Sequence, residues 1–379
     1  MPGKPANPFI TSGYIGPDCF CNRTNETERL LKALSSKRHV TLISLRRTGK
    51  TGLLRHVEYL LKHGKNPPVV VYVDLLPTLN GNDLLNVLSS ALLKVRQSEK
   101  GFFEKFLSLL SHLRPKLTYD QLTGQPSVSL TIDSPSEVQS GFMSLMHMIT
   151  EIRKELIIMF DEFQQINVYP EKNIEHILRS IIQMHPSVPF VFSGSSKHML
   201  EAMFSSAGRP FYQSSELMYL EKISGEDYGS FIVEKMQAGN KKLLPPVLPE
   251  IFKWTRLHTF YVQYVCNLLY EHDARVIDEQ VLHNIFYTIL NSYEPLYAGY
   301  TKLIPSHQYK LLQAMAAEDG ISQPTSGDFI SRHNLVSASS VNTSLKALTD
   351  KELIVHDGSK WLVYDVFYAR WLEYHFKKN

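Results

Sequence analysis

Five short, nearly unbroken apolar runs, at residues 40–45, 69–75, 156–160, 188–193 and 217–220, predict β-strands. Between them apolar positions return at helical spacing near 50–62, 82–97, 137–152 and 172–184. In the first of these helices Leu53, Leu54, Val57, Leu60 and Leu61 share one face. The five consecutive apolar residues Leu156-Ile157-Ile158-Met159-Phe160 suit a strand buried on both faces of a parallel sheet. Strand and helix in alternation imply such a sheet, covered by helices on both sides.

Residues 99–136 interrupt the rhythm. Phe102, Phe103, Phe106, Leu107, Leu109, Leu110 and Leu113 predict a short amphipathic helix, and 117–132 alternate about Gly124-Gln125-Pro126 as a hairpin does. This stretch reads as an insertion on the core, either a structural elaboration or a partner-binding surface. Beyond about 222 the strands stop. Residues 225–298 read as helices, with breaks at Pro245-Pro246 and Pro249. Helices at 306–316, 326–333 and 338–350 follow, the last capped by Ser337 or Ser339. Two short strands, Glu352-Leu353-Ile354-Val355-His356 and Lys360-Trp361-Leu362-Val363-Tyr364, then flank Asp357-Gly358. Three helices and a two-stranded turn make a winged helix. The expected organisation is an N-terminal segment (1–35), an α/β core (36–221), a helical lid (222–300) and a winged-helix domain (301–379).

The chemistry sits where strands meet helices. Leu42-Ile43-Ser44-Leu45-Arg46-Arg47-Thr48-Gly49-Lys50-Thr51 ends a strand with Gly-Lys-Thr and opens a helix, the layout of a phosphate-binding P-loop. Gly49 allows close backbone approach, Lys50 suits the β- and γ-phosphates, and the Thr51 hydroxyl suits Mg2+. Amides of the opening helix and the charges of Arg46 and Arg47 add to the anion site, which runs from Arg46 through Thr48 to Gly52. Ser44 stands where the pattern has its first glycine. About 110 residues later the apolar run ends in Asp161-Glu162. Asp161 is expected to hold Mg2+ through water, and Glu162 to polarise the water attacking the γ-phosphate. Taken singly, these segments are a Lys-Thr helix start and a solvated acidic turn; in this order they point to hydrolysis of ATP.

Composition narrows the classes. The 379 residues are 43% hydrophobic, enough for proper cores, and the net charge of +3 gives no global bias toward nucleic acid or anionic membrane. No apolar run reaches the ~20 residues of a membrane helix. The opening Met1-Pro2-Gly3-Lys4-Pro5-Ala6-Asn7-Pro8-Phe9 lacks the apolar core of a signal peptide. Three cysteines are too few for a disulfide framework, so Cys19 and Cys21 read as free thiols in a reducing cytoplasm. The helix at 338–350 carries Lys346 and Asp350, with Lys351 just beyond it; Asn342 and Thr343 are its candidates for base contact. A reading helix carries a denser set of such side chains. The winged helix is therefore expected to pack on the ATPase and transmit its nucleotide state, with DNA contact as the alternative.

These motifs together resemble the archaeal-type ATPase family of P-loop proteins, in the STAND branch related to AAA+ ATPases, and most closely the versions common in bacteria. The resemblance spans nearly the whole chain. Asn7-Pro8-Phe9 begins it, and Phe20-Cys21-Asn22-Arg23-Thr24-Asn25-Glu26 is similar to an F-x-x-R-x-x-E opening motif. Arg46-Arg47-Thr48-Gly49-Lys50-Thr51 resembles R-R-x-G-K-T, Asp161-Glu162-Phe163-Gln164 resembles D-E-F-Q, and Gly194-Ser195 and Arg209-Pro210-Phe211-Tyr212 resemble its G-S and R-P-F-Y elements. Leu345, Leu348, Ile354 and Asp365 resemble its C-terminal winged helix. The resemblance implies that residues 15–26, with Ile15, Phe20 and Arg23, lie against adenine and ribose. It implies that Ser195 senses the γ-phosphate and that Arg209 supplies positive charge near the phosphates, in the same protomer or a neighbour. Of the family's Gly-His-Pro beside the base, Leu257-His258-Thr259 keeps His258. An ATP-hydrolysing, Mg2+-dependent switch is the expected function. A DNA-associated ATPase and a nucleotide-stabilised scaffold are the alternatives. ATP or ADP and a protein partner or second copy are the expected partners, with DNA less favoured and no membrane.

Overall fold

The structure, a computed structural model, describes residues 6–96, 102–119, 126–132, 135–150 and 155–376. Gly124 and Gln125 of the expected turn, and residues 97 and 151–152 of two expected helices, lie outside them. The chain divides into two compact units, Ser12–Lys222 and Met1–Thr11 with Ile223–Asn379.

In the first unit the described elements run α1 (Thr24–Ser35), β1 (Val40–Ile43), α2 (Lys50–Lys62), β2 (Val69–Asp74), α3 (Gly81–Arg96), α4 (Phe102–Leu109), β3 (Lys116–Tyr119), β4 (Pro126–Ser129), α5 (Pro135–Thr150), β5 (Leu156–Asp161), α6 (Ile174–Met184), β6 (Phe190–Gly194), α7 (Lys197–Ser205) and β7 (Glu216–Tyr219). The five predicted strands form one sheet in the order β2-β5-β6-β1-β7, and every neighbouring pair is parallel. Period-two alternation sends side chains to both faces. Ile157, Met159 and Val191 join Leu53, Leu54 and Val57 of α2 and Leu30 and Leu34 of α1 in one core. Ile158, Phe160, Phe190 and Phe192 join α3, α5, α6 and α7 in the other. Both faces are thus covered by helices, as an apolar five-residue run requires.

The expected insertion contains α4 and the antiparallel pair β3–β4. It is tied to α3: Val128 N donates to Ser90 Oγ at 3.1 Å and Leu130 N to Asn86 Oδ1 at 2.7 Å.

The second unit contains α8 (Gly225–Ala238), β8 (Lys242–Leu243), α9 (Val247–Trp254), α10 (Thr259–Glu271), β9 (Val276–Ile277), α11 (Glu279–Leu303), α12 (Ser306–Ala317), α13 (Gly327–Arg332), α14 (Ala338–Asp350), β10 (Ile354–His356), β11 (Trp361–Val363) and α15 (Val366–Phe376). Pro249 does not break the chain here. It lies in the first turn of α9, where its missing N–H would have had no partner within the helix. Helix α11 likewise continues through Pro295. Ser337 is the cap of α14, its Oγ accepting from Ser340 N at 3.2 Å. The wing is the antiparallel β10–β11 pair, to which Ile321 adds a bridge at Trp361.

Lid and winged helix share this unit through polar and aromatic joints. Arg256 donates to Asp319 Oδ1 and to Val363 O, both at 2.8 Å, while Arg370 donates to Trp254 O at 2.9 Å and to Lys253 O at 3.1 Å. Trp254 stacks on Phe286 at 4.1 Å and meets Phe367 of α15 at 5.4 Å. Residues 6–11 belong here too. Phe9 is fully buried against Phe231 and Tyr270, and its carbonyl accepts from Asn267 at 2.8 Å.

Candidate functional site

Parallel strands place their carboxyl ends together, and that edge of the first unit gathers the chemistry. Ile43 is in register with Gly194, so the loop after β1 and Ser195 after β6 start side by side. Asp161 closes β5 opposite Asp74. Strand β6 lies between the P-loop strand and the Asp-Glu strand.

The loop after β1 closes on its own side chains. Gly49 has φ +99°, the left-handed region that glycine enters at no steric cost, and caps α2. Arg47 is left-handed as well, at φ +62°. Ser44 is not among the positive-φ residues, so this position makes no backbone demand for the glycine of the usual pattern. Its hydroxyl is used instead. Ser44 Oγ pairs with Thr48 Oγ1 at 2.6 Å and accepts from Lys50 Nζ at 3.1 Å. Lys50 also donates to Leu45 O at 2.9 Å. Its side chain is buried, and burial lowers its pKa to about 8 against the raising influence of Glu162 and Asp161. A desolvated cation held on carbonyl and hydroxyl oxygens is poised for a stronger anion such as phosphate.

Asp161 is 3% exposed. Its Oδ2 accepts from Thr51 Oγ1 at 2.7 Å and from the Tyr72 hydroxyl at 2.6 Å, and Oδ1 accepts from Glu162 N at 3.1 Å. A hydroxyl and a carboxylate in contact are the hard oxygen donors that suit Mg2+, which takes few protein ligands and completes its shell with water and phosphate. Among the described residues no group of three or more His, Cys, Asp or Glu could hold a metal ion. Tyr72 was not singled out from the sequence. Its hydroxyl is pushed far up by burial and by Asp161, and the Arg55 guanidinium lies 3.4 Å from its ring centroid. The only sequence signal was a lone polar tip in the run Val69-Val70-Val71-Tyr72-Val73.

Glu162 leaves the strand at φ +54°, a conformation non-glycine residues adopt rarely and which clusters at functional sites. Its Oε2 accepts from Ser195 Oγ at 2.7 Å, from Ser195 N at 3.2 Å and from Gln164 Nε2 at 2.5 Å. Arg46 Nε approaches Ser195 Oγ at 3.4 Å. Arg46, Lys50, Thr51, Asp161, Glu162 and Ser195 therefore converge.

On the other side of the loop, Phe20 stacks on His56 at 4.2 Å and lies 3.6 Å from where a Cβ on Gly52 would stand. The Tyr14 hydroxyl meets His56 Nδ1 at 2.9 Å. Ile15 is 45% exposed. Arg23 has a different neighbourhood from the one expected. Its guanidinium is buried and spent on Glu26 Oε1 (2.7 Å), Glu221 O (2.5 Å) and Thr48 O (3.1 Å), so it braces the loop backbone. The structure does not bring Arg209 to the loop: its contacts are Asn167 Oδ1, at 2.5 Å, and Glu175. Burial raises the Glu175 carboxyl even beside that arginine. Phe211 of the same element is fully buried among Phe163, Phe192 and Phe204, which accounts for it as core. His258 belongs to the second unit, where it precedes α10 and its ring meets Tyr261 at 5.0 Å. Cys19, Cys21 and Cys266 form no disulfide. No described helix is long and apolar enough to cross a membrane.

Residues 295–374 match a family model described as a probable winged helix domain. No curated protein matches the chain. Among solved structures the chain is similar to the Walker-type ATPase paby2304 of Pyrococcus abyssi, with TM-score 0.65 and 15% identity over 96% of this chain and 99% of that one. It is also similar to the ORC2 protein of Aeropyrum pernix in ADPNP–ADP complexes, with TM-score 0.55 and 13% identity over 99% of both chains. The ORC1 protein of the same organism, solved in complex with DNA, gives TM-score 0.51 and 16% identity over 95% of this chain and 94% of that one. The fold is that of a P-loop ATPase core with helices on both faces of a parallel sheet, followed by a C-terminal winged helix.

Proposed function

We propose that the protein is a Mg2+-dependent ATPase of the STAND and AAA+ kind, in which nucleotide state is coupled to the lid and winged helix. One observation carries this reading. Thr51 and Asp161 are in hydrogen-bond contact beside a buried Lys50, while Glu162 is held by Ser195 at the neighbouring strand end. Lys50 and the amides at the start of α2 bind the β- and γ-phosphates, and Phe20, Gly52 and the residues around Ile15 form the adenine side. Thr51 and Asp161 would hold Mg2+, which neutralises charge on the phosphate oxygens when bound. Glu162 accepts the proton of the attacking water, and Ser195 orients Glu162. The roles of Arg209 and His258 toward nucleotide, the domain limits read from the sequence and the cytoplasmic location belong to the same proposal, in which Arg23 braces the loop.

The test is steady-state phosphate release from Mg-ATP, with calorimetric ATP binding for Lys50→Ala. Loss of one charged phosphate contact is expected to weaken affinity about 10- to 100-fold. Unchanged affinity would sink the P-loop assignment.

The second reading is a DNA-associated ATPase. The neighbour solved in complex with DNA and the exposed Asn342, Thr343 and Lys346 on α14 favour it. Against it stand the sparse cations of that helix and the net charge of +3. Phosphate release stimulated by duplex DNA would promote it; ATP binding without turnover would favour a nucleotide-stabilised scaffold.

A further inference from the structure

Gly194 closes strand β6, and its φ is not positive, so the backbone does not require glycine there. Space does. A Cβ at Gly194 would stand 1.9 Å from Gln164 Oε1 and 3.0 Å from Leu200 Cδ1. The first distance is far inside van der Waals contact, so the Gln164 carboxamide occupies the place of the missing side chain. Gln164 is 8% exposed, and its Oε1 is buried with no hydrogen-bond partner among the described residues. A buried acceptor left unsatisfied costs stability and calls for a reason. The reason lies at the other end of the amide, where Nε2 donates to Glu162 Oε2 at 2.5 Å. The reversed amide would set a carbonyl oxygen against a carboxylate.

We propose that Gln164 is a positioning residue for Glu162, and that Gly194 is glycine in order to seat it. Gln164 Nε2, Ser195 Oγ and Ser195 N all converge on Oε2, and none of them reaches Oε1. Three donors on one oxygen fix the plane of the carboxylate and leave Oε1 as the proton acceptor. On the ATPase reading, on which this inference rests, the water oxygen attacks the γ-phosphorus and its proton passes to Glu162 Oε1. The bond from the γ-phosphorus to the β–γ bridging oxygen breaks, leaving ADP and phosphate. Gln164 touches neither water nor phosphate; it acts through Glu162. It reaches that place because the left-handed Glu162 turns the chain from β5 into the short 3-10 turn Phe163–Val168.

The test is a double-mutant cycle on the full chain, read by phosphate release from Mg-ATP and by thermal unfolding, with Glu162→Gln as the reference. Gln164→Ala is expected to lower kcat about 10- to 100-fold, as a misplaced base does, while KM stays within about threefold. Gly194→Ala is expected to lower both kcat and Tm, because it expels the amide. The double variant is expected to match the kcat of Gln164→Ala alone and to recover most of the lost Tm, since the clash is gone. A normal kcat for Gln164→Ala overturns the inference, provided that Glu162→Gln is inactive. Multiplicative effects on kcat with no recovery of Tm overturn it too. Wild-type turnover equal to that of Glu162→Gln overturns the ATPase reading and this inference together.

Discussion

Arg23→Ala separates a brace from a ligand contact. Arg23 is 4% exposed, and its guanidinium makes three bonds, to Glu26 Oε1, Glu221 O and Thr48 O. The Thr48 bond holds the phosphate loop, and the Glu221 bond ties it to the chain just after β7. Bonds made by a charged donor are worth about 1.5–3 kcal/mol each when the partner is left buried. Glu26 keeps a 24% exposed side chain and rehydrates on truncation, which trims the sum. The two carbonyl bonds then set a net loss of about 3–6 kcal/mol. A unit of about 200 residues loses roughly 2–4 °C per kcal/mol, so the unfolding transition of Ser12–Lys222 should fall by about 6–24 °C. Scanning calorimetry without nucleotide reads this directly, and titration with a non-hydrolysable ATP analogue well below the new Tm reads the site. The brace predicts a lower Tm with affinity reduced less than about tenfold. A Tm within about 1 °C of wild type together with lost binding would refute the reasoning and make Arg23 a direct nucleotide contact.

Three further outcomes are expected. Glu162→Gln should retain ATP while hydrolysis falls roughly 10²–10⁴-fold; normal phosphate release would remove Glu162 as the base. Burial works against the charge of Asp319, but Arg256 and Arg370 together hold its carboxyl below the usual value. A depressed carboxylate pKa gives stability that is present above the unfolded pKa of about 3.9 and is lost as pH falls through the folded value. The stability gap between wild type and Asp319→Asn should therefore be full at neutral pH and shrink below about pH 4 in urea unfolding; a gap constant from neutral pH down to pH 3 would refute the assignment. Truncation after Leu303 removes Phe367, Asp365 and Trp371, the partners of Trp254, Tyr297 and Glu294. Residues 223–303 should then lose their own cooperative transition in calorimetry while that of Ser12–Lys222 persists; survival of both transitions would show the lid folding by itself.

Much of this protein was legible because its signals are local. Apolar runs mark strands whatever lies elsewhere, and all five expected strands appear within about two residues of their observed limits. Gly49, Lys50 and Thr51 are adjacent and open a helix, so the phosphate loop needs no tertiary information to be read. The meeting of that loop with Asp161 follows from one general rule, since parallel strands put their carboxyl ends on a single edge. Helix α15 escaped notice because its Phe367, Tyr368, Trp371 and Leu372 lie in an aromatic run without clear polar spacing.

Chain alone determined the strand–helix alternation, the phosphate loop, the acidic pair and the winged helix. Tertiary structure decided which side chains share a space. The Tyr72 hydroxyl reaches Asp161 because β2 pairs with β5, and Gln164 faces Gly194 because β6 runs beside β5. Arg23 spends its charge on Thr48 O rather than standing free, and Arg209 is held by Glu175 and Asn167. Lid and winged helix share one unit through Arg256, Asp319 and Arg370, residues scattered over more than a hundred positions. Hydrophobic period reports which face of an element is buried, but not against what. That depends on the order in which strands and helices pack, and only the folded chain carries it.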